Sequence, residues 1–379
     1  MLTNLNNKMR IQLNDIHAQY LKEKRKVDGA ISNVISDSAF IGGKYVEEFE
    51  GSFAHYNGSK FAVGLNSGTD ALLLSILALG IDKGDEIITS PFTFFATAEV
   101  ILRAGAKLRF ADNGEDFNID PARINKAITK KTRAIIPVHL FGHPARMNDI
   151  LNIAHACNLF VIEDACQAVG ATINDKKTGT FGNVGCFSFF PSKNLGAFGD
   201  GGAVITNNET LALEIKKLRN HGGIQRYRNE ELGFNSRLDG IQAGILSAKL
   251  LFLDRWNKNR REAAGIYRQL LSGCRHISLP PKDRSPYLSV YHQFTIRVLA
   301  SLRDKLKGSL ERAGVGTAIY YPTPLHLLPA LKSLGYRPGD FPISEKMSQE
   351  VLSLPIFPQI TLKQQRYVAD QILNFFKTL

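Results

Sequence analysis

Between residues 60 and 207 the chain repeats one rhythm: a short β-rich run, a turn, a stretch whose apolar positions recur with helical period, and another β-rich run. The pattern predicts strands at 61–65, 86–89, 107–111, 133–138, 159–163, 186–190 and 203–206. Between most of them it predicts helices, at 69–79, 97–104, 121–128 and 147–156. This alternation argues for an α/β domain whose sheet is mainly parallel. The segment 170–185 departs from the rhythm, and Gly179, Gly182 and Gly185 mark it as a hairpin or wandering loop. Beyond Arg237 a long helical pattern covers 238–271, densely basic in its second half, and reads as the connector into a smaller C-terminal domain. There the pattern predicts strands at 293–298, 315–321 and 351–356, and helices at 303–312, 344–351 and 362–375.

Composition narrows the class. The 379 residues are 44% hydrophobic and 22% charged, which suits a globular protein with a large core. The longest strongly apolar run, 71–81, falls well short of the roughly 20 residues that span a bilayer, so no membrane anchor is expected. Residues 1–15, with Lys8 and Arg10, lack the apolar core of a secretory signal. Cys157, Cys166, Cys186 and Cys274 show no Cys-x-x-Cys spacing, which points to a reducing cytoplasm without structural zinc or disulfides. The net charge of +12 allows a polyanion partner, an anionic substrate or a solvated basic surface.

Candidate chemistry falls at predicted strand ends, where ligands bind in open α/β sheets. Asn66 to Asp70 follow the first strand and open the first helix. Unpaired backbone N–H groups there suit a phosphate, though Ser67 or Thr69 could equally be an ordinary helix cap. Asp164 ends an apolar strand; it could hold a proton on a ring nitrogen or cap the next turn. Lys193 leaves another apolar strand ahead of Gly196, Gly199, Gly201 and Gly202. Desolvation would lower its pKa and make it a Schiff-base nucleophile; the alternative is a side chain that snorkels to solvent.

Taken together, these strings carry a resemblance. Asn-Ser-Gly-Thr-Asp-Ala-Leu at 66–72, Pro-Phe-Thr-Phe-Phe-Ala-Thr at 91–97, Ile-Glu-Asp-Ala-Cys-Gln-Ala at 162–168, Ser-Phe-Phe-Pro-Ser-Lys-Asn-Leu-Gly at 188–196, Gly-Asp-Gly-Gly at 199–202 and Asn-Ser-Arg-Leu-Asp at 235–239 stand in the order of the DegT/StrS family. The sequence resembles these pyridoxal-phosphate-dependent aminotransferases of nucleotide-linked keto-sugars from about Ile11 to its C-terminus. The resemblance implies a three-layer, aspartate-aminotransferase-like large domain (pyridoxal-phosphate fold type I) with a mainly parallel mixed sheet over residues 1–254, and a smaller α+β domain over 255–379.

It also implies roles. Lys193 would bond to pyridoxal phosphate and, once displaced, carry the proton between the amino donor's α-carbon and the cofactor. Asp164 would pair with the pyridine nitrogen, Gln167 with the 3-hydroxyl, and Phe94 would stack on the ring. Gly68, Thr69 and Ser188 would hold the phosphate, helped by Asn235 from the other subunit of a cytoplasmic homodimer. Arg237 would face the substrate's anionic part, with a salt bridge to Asp239 or another carboxylate as the structural alternative. Tyr320, Tyr321 and His326 would line the sugar pocket; members acting on uronate sugars have His-Tyr-Pro where this chain has Tyr320. His292 reads as structural, holding the first strand of the small domain.

The implied reaction moves an amino group from glutamate to a keto-sugar on dTDP or UDP, at carbon 3 ahead of carbon 4, with no metal. Alternatives are a pyridoxal-phosphate-dependent sugar dehydratase, one version of which has histidine where this chain has Lys193, and a regulatory or nucleic-acid-binding protein. The last would need stacking residues beside the basic segments 22–26 and 255–261, where Trp256 is the one obvious aromatic.

Overall fold

A computed structural model describes residues 9–225 and 227–378; most of the N-terminal stretch read as lacking a secretory signal, residues 1–8 including Lys8, lies outside them. The strands are β1 (Phe61–Leu65), β2 (Glu86–Thr89), β3 (Lys107–Phe110), β4 (Thr132–Ile136), β5 (Phe160–Asp164), the short β6 (Thr172–Ile173) and β7 (Lys176–Lys177), β8 (Val184–Ser188) and β9 (Gly202–Thr206). Seven of them form one sheet in the order β1-β9-β8-β5-β4-β2-β3. Neighbours are parallel except where β9 runs against both β1 and β8. The physical reason is the short connection: no helix separates β8 from β9, and a parallel return needs a crossover.

Helices α1 (Ile16–Ser36), α2 (Lys44–Asn57), α3 (Gly68–Ala78), α4 (Phe95–Arg103), α5 (Pro121–Ala127), α6 (Met147–Ala156), α7 (Glu209–Leu218) and α8 (Gly240–Leu250) surround this sheet. Alternate residues along each strand divide between its two faces. On one face Val63, Ile87, Ile136, Ile162 and Val204 pack with Leu72 and Leu74 of α3, Ile101 of α4 and Ile215 of α7. On the other, Ala62, Phe187 and Ile205 meet α2 and α8, while Ile88, Ile135 and Val161 meet α5 and α6. The result is the expected three-layer arrangement.

The turn of β5 illustrates the alternation. Ile162 and Asp164 face the α3 side, and Val161 and Glu163 the opposite side. Glu163 has no solvent exposure. Its carboxylate accepts from the N–H groups of Gly179 (2.7 Å), Phe181 (2.6 Å) and Gly182 (2.7 Å), and from His139 Nε2 (2.9 Å). His139 Nδ1 accepts from Ala145 N–H at 3.0 Å, so the ring proton sits on Nε2. These bonds anchor the 170–185 segment, which is indeed a hairpin: β6 pairs with β7, and also with β11 (Tyr287–Leu288).

The small domain has β10 (Ile277–Ser278), β12 (Phe294–Val298) and β13 (Val351–Leu354) in an antiparallel sheet, packed with α9 (Leu253–Leu271), α10 (Ala300–Arg312) and α12 (Leu362–Lys377); α11 (Pro342–Glu350) precedes β13. Three expectations are corrected here. The predicted single helix over 238–271 is broken at Leu251–Phe252, because α8 buries Leu246 and Leu250 in the large-domain core whereas α9 buries Ala264, Tyr267 and Leu271 in the small one. No strand forms over 315–321: Val315 and Ala318 make isolated bridges, and the chain then leaves toward the large domain through Pro322 and Pro324, which have no N–H to offer a ladder.

A single cut at residue 254 also fails to follow the packing. Ile11 bridges to Val315 and lies in the small-domain core, while Leu325, Leu331 and Phe341 lie in the core of the large domain. Among the described residues no helix is long and apolar enough to cross a membrane.

Glu163→Gln keeps the volume but turns one acceptor into a donor facing N–H groups. It is expected to lower the unfolding free energy by about 3–5 kcal/mol, read from urea denaturation; a loss within error of zero would show that the cage is dispensable.

Candidate active site

The carboxyl ends of β1, β2, β4, β5 and β8 lie along one edge of the sheet, and a cavity of about 590 Å³ opens there. At one end is the start of α3. Ser67 caps it, its hydroxyl accepting from Asp70 N–H at 3.1 Å. Gly68 and Thr69 occupy the first helical positions, whose N–H groups have no intrahelical acceptor. Glycine is required twice: a Cβ on Gly68 would stand 2.7 Å from Ser188 Cβ, and one on Gly202 would stand 2.3 Å from the Ser67 carbonyl carbon. Strand β9 thus closes against the helix start, with Ser188 beside it.

Asp164, 5% exposed, reaches the cavity from the end of β5. Its Oδ2 accepts from Thr97 Oγ1 at 2.8 Å and its Oδ1 from Cys166 N–H at 3.2 Å. Thr97 Oγ1 also lies 3.3 Å from Thr93 Oγ1. Since the Thr97 proton goes to the carboxylate, Thr93 is the donor in that contact. The carboxylate is held by two bonds and keeps lone pairs free for a third donor. Gln167 Oε1 accepts from Phe141 N–H at 2.7 Å, which fixes the amide, and Nε2 donates to Tyr321 Oη at 3.1 Å. Burial pushes the Tyr321 phenol up, so it stays neutral. Phe94, 58% exposed, caps the opening with its ring 6.3 Å from that of Tyr321.

Lys193 enters from the turn after β8, where its N–H bonds Phe190 O at 2.8 Å. A Cβ on Gly196 would stand 2.3 Å from the Pro191 carbonyl oxygen, so the turn closes only around a glycine. Burial lowers the Lys193 ammonium below the usual lysine range, against the opposing pull of Cys166 and Asp164. Burial also raises the Cys166 thiol well above its usual range. His292, on the same wall, is held well below the ordinary histidine range by burial, with Lys193 and Arg260 adding to the effect.

The structure therefore gathers Gly68, Thr69, Phe94, Asp164, Gln167, Ser188, Lys193, Tyr320 and Tyr321 around one cavity. It does not bring Asn235, Arg237 or His326 there. Asn235 is exposed and bridges to Asn220. Arg237 donates to Asn220 Oδ1 at 3.1 Å, and among the described residues its buried Nε has no partner and it makes no salt bridge to Asp239 or another carboxylate. His326 is buried against Phe341, with Nε2 3.0 Å from Glu345 Oε1. The expectation that it lines the pocket fails because Leu325 and His326 turn into the core of the large domain. Thr97 is a further site residue whose role the string Pro-Phe-Thr-Phe-Phe-Ala-Thr at 91–97 does not reveal, because its partner lies 67 residues away.

The donor set suits pyridoxal phosphate: a helix start with free N–H groups at one end, a buried carboxylate for a protonated ring nitrogen, an oriented amide, a ring-sized aromatic cover and a desolvated lysine.

Comparison with known proteins agrees. Residues 22–373 match the DegT/DnrJ/EryC1/StrS aminotransferase family. The chain is 45% identical over 371 residues to the "Pleiotropic regulatory protein" of Geobacillus stearothermophilus, covering 97% of this chain and 99% of that one. It is 43% identical over 364 residues to UDP-N-acetyl-3-dehydro-alpha-D-glucosamine 3-aminotransferase of Acidithiobacillus ferrooxidans (96% and 97% covered). It is 40% identical over 366 residues to dTDP-3-amino-3,4,6-trideoxy-alpha-D-glucose transaminase of Streptomyces venezuelae (96% and 95% covered). Among solved structures, S. venezuelae DesV in complex with a ketimine intermediate superposes with TM-score 0.94 at 40% identity, covering 97% of this chain and 98% of that one. The Bacillus subtilis NtdA structure with bound cofactor PMP gives 0.87 at 33% identity, covering 94% and 82%.

In the cofactor-free protein, trinitrobenzenesulfonate should modify Lys193 with a pH midpoint below that of the surface lysines. Asp164→Asn removes an attraction that opposes this shift, so the midpoint should fall further. Peptide mapping across a pH series reads both; a Lys193 midpoint equal to that of surface lysines would contradict the desolvated placement.

Proposed function

The chain belongs to the DegT/DnrJ/EryC1/StrS aminotransferase family, and from that premise we propose that it moves an amino group from glutamate to a keto-sugar carried on dTDP or UDP, at carbon 3. The observation that carries the reading is the meeting of Lys193 and Asp164 in one cavity beside the start of α3. Relatives named for 3-amino sugars on UDP and dTDP support the substrate class and the position.

Bound pyridoxal phosphate supplies an electron sink for the pair released when the donor's α-carbon loses its proton. The protein does the rest. Gly68 and Thr69 N–H groups and the Ser188 hydroxyl bind the phosphate, where the helix dipole favours negative charge. Asp164, aligned by Thr97, keeps a proton on the ring nitrogen. Gln167, aligned by Phe141, donates to the ring hydroxyl. Phe94 covers the ring face. Lys193 would hold the cofactor through its Nζ, and the same nitrogen would take and return the donor's α-proton; a lowered pKa leaves it able to accept that proton.

Within one chain the cavity wall has Lys193 as its cation among the described residues, beside Asp164 and Asp200. A nucleoside diphosphate and a dicarboxylic donor need more positive charge than that. A homodimer would supply it, with the exposed Asn235 reaching the neighbour's phosphate site and Arg237 its substrate. The setting is the cytoplasm, and the product an amino sugar for surface polysaccharide or a glycosylated metabolite; the four cysteines are free. The basic segments offer little to a nucleic acid: Arg255 pairs with Glu23, and Lys26 lies over the Phe252 ring at 5.4 Å.

Purified protein should be yellow, and borohydride should fix the cofactor on Lys193. Lys193→Ala and Asn235→Ala should each abolish or sharply reduce 2-oxoglutarate formation with UDP- and dTDP-linked 3-keto-sugars. If sites are shared across a two-fold axis, mixing the two inactive variants should restore about a quarter of wild-type activity. Cofactor fixed elsewhere would sink the enzyme reading; no restoration on mixing would sink the shared site.

A further inference from the structure

Lys193 sits on a turn that is tied, on both sides, to segments leading into the small domain. The residue before it, Ser192, gives its carbonyl to Asn14 Nδ2 at 3.0 Å. Asn14 follows the stretch whose Ile11 and Leu13 bond Gly316 and Ile356 of the small domain. The residue after it, Asn194, is 3% exposed, and its side-chain bonds among the described residues go to α9 and to the segment that runs into β12. Its Nδ2 donates to Asn257 Oδ1 on α9 at 2.8 Å and to Val290 O at 3.0 Å, and its Oδ1 lies 3.2 Å from His292 Nδ1.

The directions of these bonds are determined. Asn257 Nδ2 donates to Val169 O at 3.0 Å, so its Oδ1 is the acceptor for Asn194. Both Asn194 amide hydrogens are then used, and its oxygen must accept from His292. The imidazole proton therefore resides on Nδ1, and Nε2 carries a bare lone pair with no protein partner among the described residues. The ring is 9% exposed and lines the cavity. Its backbone is clamped as well: Arg260 on α9 donates to the carbonyls of Tyr291 (3.2 Å), His292 (3.3 Å) and Ile356 (3.0 Å). Two residues further on, the chain enters β12.

We propose that His292 is a positioning residue for Lys193: acting through Asn194, it locks the lysine's turn to the small domain, so that the lysine's place and proton affinity depend on where that domain sits. The proposal rests on the aminotransferase reading above. The charged and titratable groups that act on His292 are Lys193 and Arg260, and those that act on Lys193 are Asp164 and Cys166. A neutral histidine donating from Nδ1 fastens the turn without placing a second cation beside the lysine. A buried, hydrogen-bonded chain of side chains is also rigid, because breaking a link leaves a buried group unpaired.

The test uses the cofactor-loaded enzyme. His292→Leu removes the donor to Asn194 at similar volume. His292→Asn returns it, since an asparagine Nδ2 occupies roughly the place of the histidine Nδ1. For His292→Leu, the pH midpoint of the holoenzyme's absorbance without substrate should shift by more than about half a unit, and kcat should fall about ten- to a hundredfold, with KM for glutamate changed less than about twofold. His292→Asn should recover most of both effects. An unchanged midpoint with unchanged kcat, or equal losses in both variants, overturns the proposal. If His292→Leu does not fold, ¹⁵N-histidine spectra of the wild-type enzyme decide: a proton on Nε2 in place of Nδ1 overturns it. A wild-type protein that takes up no cofactor would fail the aminotransferase reading itself, whatever the variants do.

Discussion

Two consecutive carboxylates at the end of β5 impose the constraint on which the site depends. Strand geometry sends Glu163 and Asp164 to opposite faces of the sheet, and both are buried. Each is acceptable there only because donors wait on its own side: backbone N–H groups and His139 for Glu163, Thr97 and the Cys166 N–H for Asp164. A slip of one residue in register would exchange them, leaving each charge without its donors and turning Val161 and Ile162 to the wrong cores. The strand therefore has one position, and the loops at its end inherit that precision. Glu163 sets the hairpin beneath the site, and Asp164 sets the start of α4.

The lysine turn obeys a second constraint, of space. Between Ser188 and Gly202 the chain must reverse, present Lys193 to the cavity, and return as a strand between β1 and β8. Close backbone approaches at Gly196 and Gly202 make this possible without side chains in the way. The turn closes on its own backbone through Phe189 N–H to Gly201 O, Lys193 N–H to Phe190 O and Ala197 N–H to Phe189 O, and α8 holds it through Gln242 and Lys249. Beside the lysine itself it gains further rigidity from Asn14, Asn257, Val290 and His292.

Much of this was legible in sequence because the information was local. Strands at 61–65 and 86–89 and the helix at 147–156 emerge where the hydrophobic period places them, and the other main-sheet strands lie within a few residues of their predicted bounds. The motifs around Lys193, Asp164 and Gln167 are short strings at strand ends. What escaped is what depends on the far side of a contact. Nothing near Thr97 announces that its partner is Asp164, and nothing near His326 announces that Phe341 and Glu345 will draw it into a core. The break at Leu251–Phe252 is invisible to periodicity, since the apolar stripe continues through it while the two halves address different cores. Ile11 likewise looks like part of a leading segment until Val315 arrives beside it.

The placement of β1 at the sheet edge, paired with β9, also sets an order of events during synthesis. A chain emerging N-terminus first makes Phe61–Leu65 early but cannot hydrogen-bond it to its sheet neighbour until Gly202–Thr206 has been made. The start of α3 stays unshaped for the same interval, because Gly202 is part of what shapes it. Closing so long a loop is slow, and until then β1 lacks its paired strand and α3 lacks the side of its packing that β8 and β9 supply. The hazard of misassociation on the ribosome thus falls on the first half of the nascent chain, and the phosphate cradle can take shape only once more than half of the polypeptide exists.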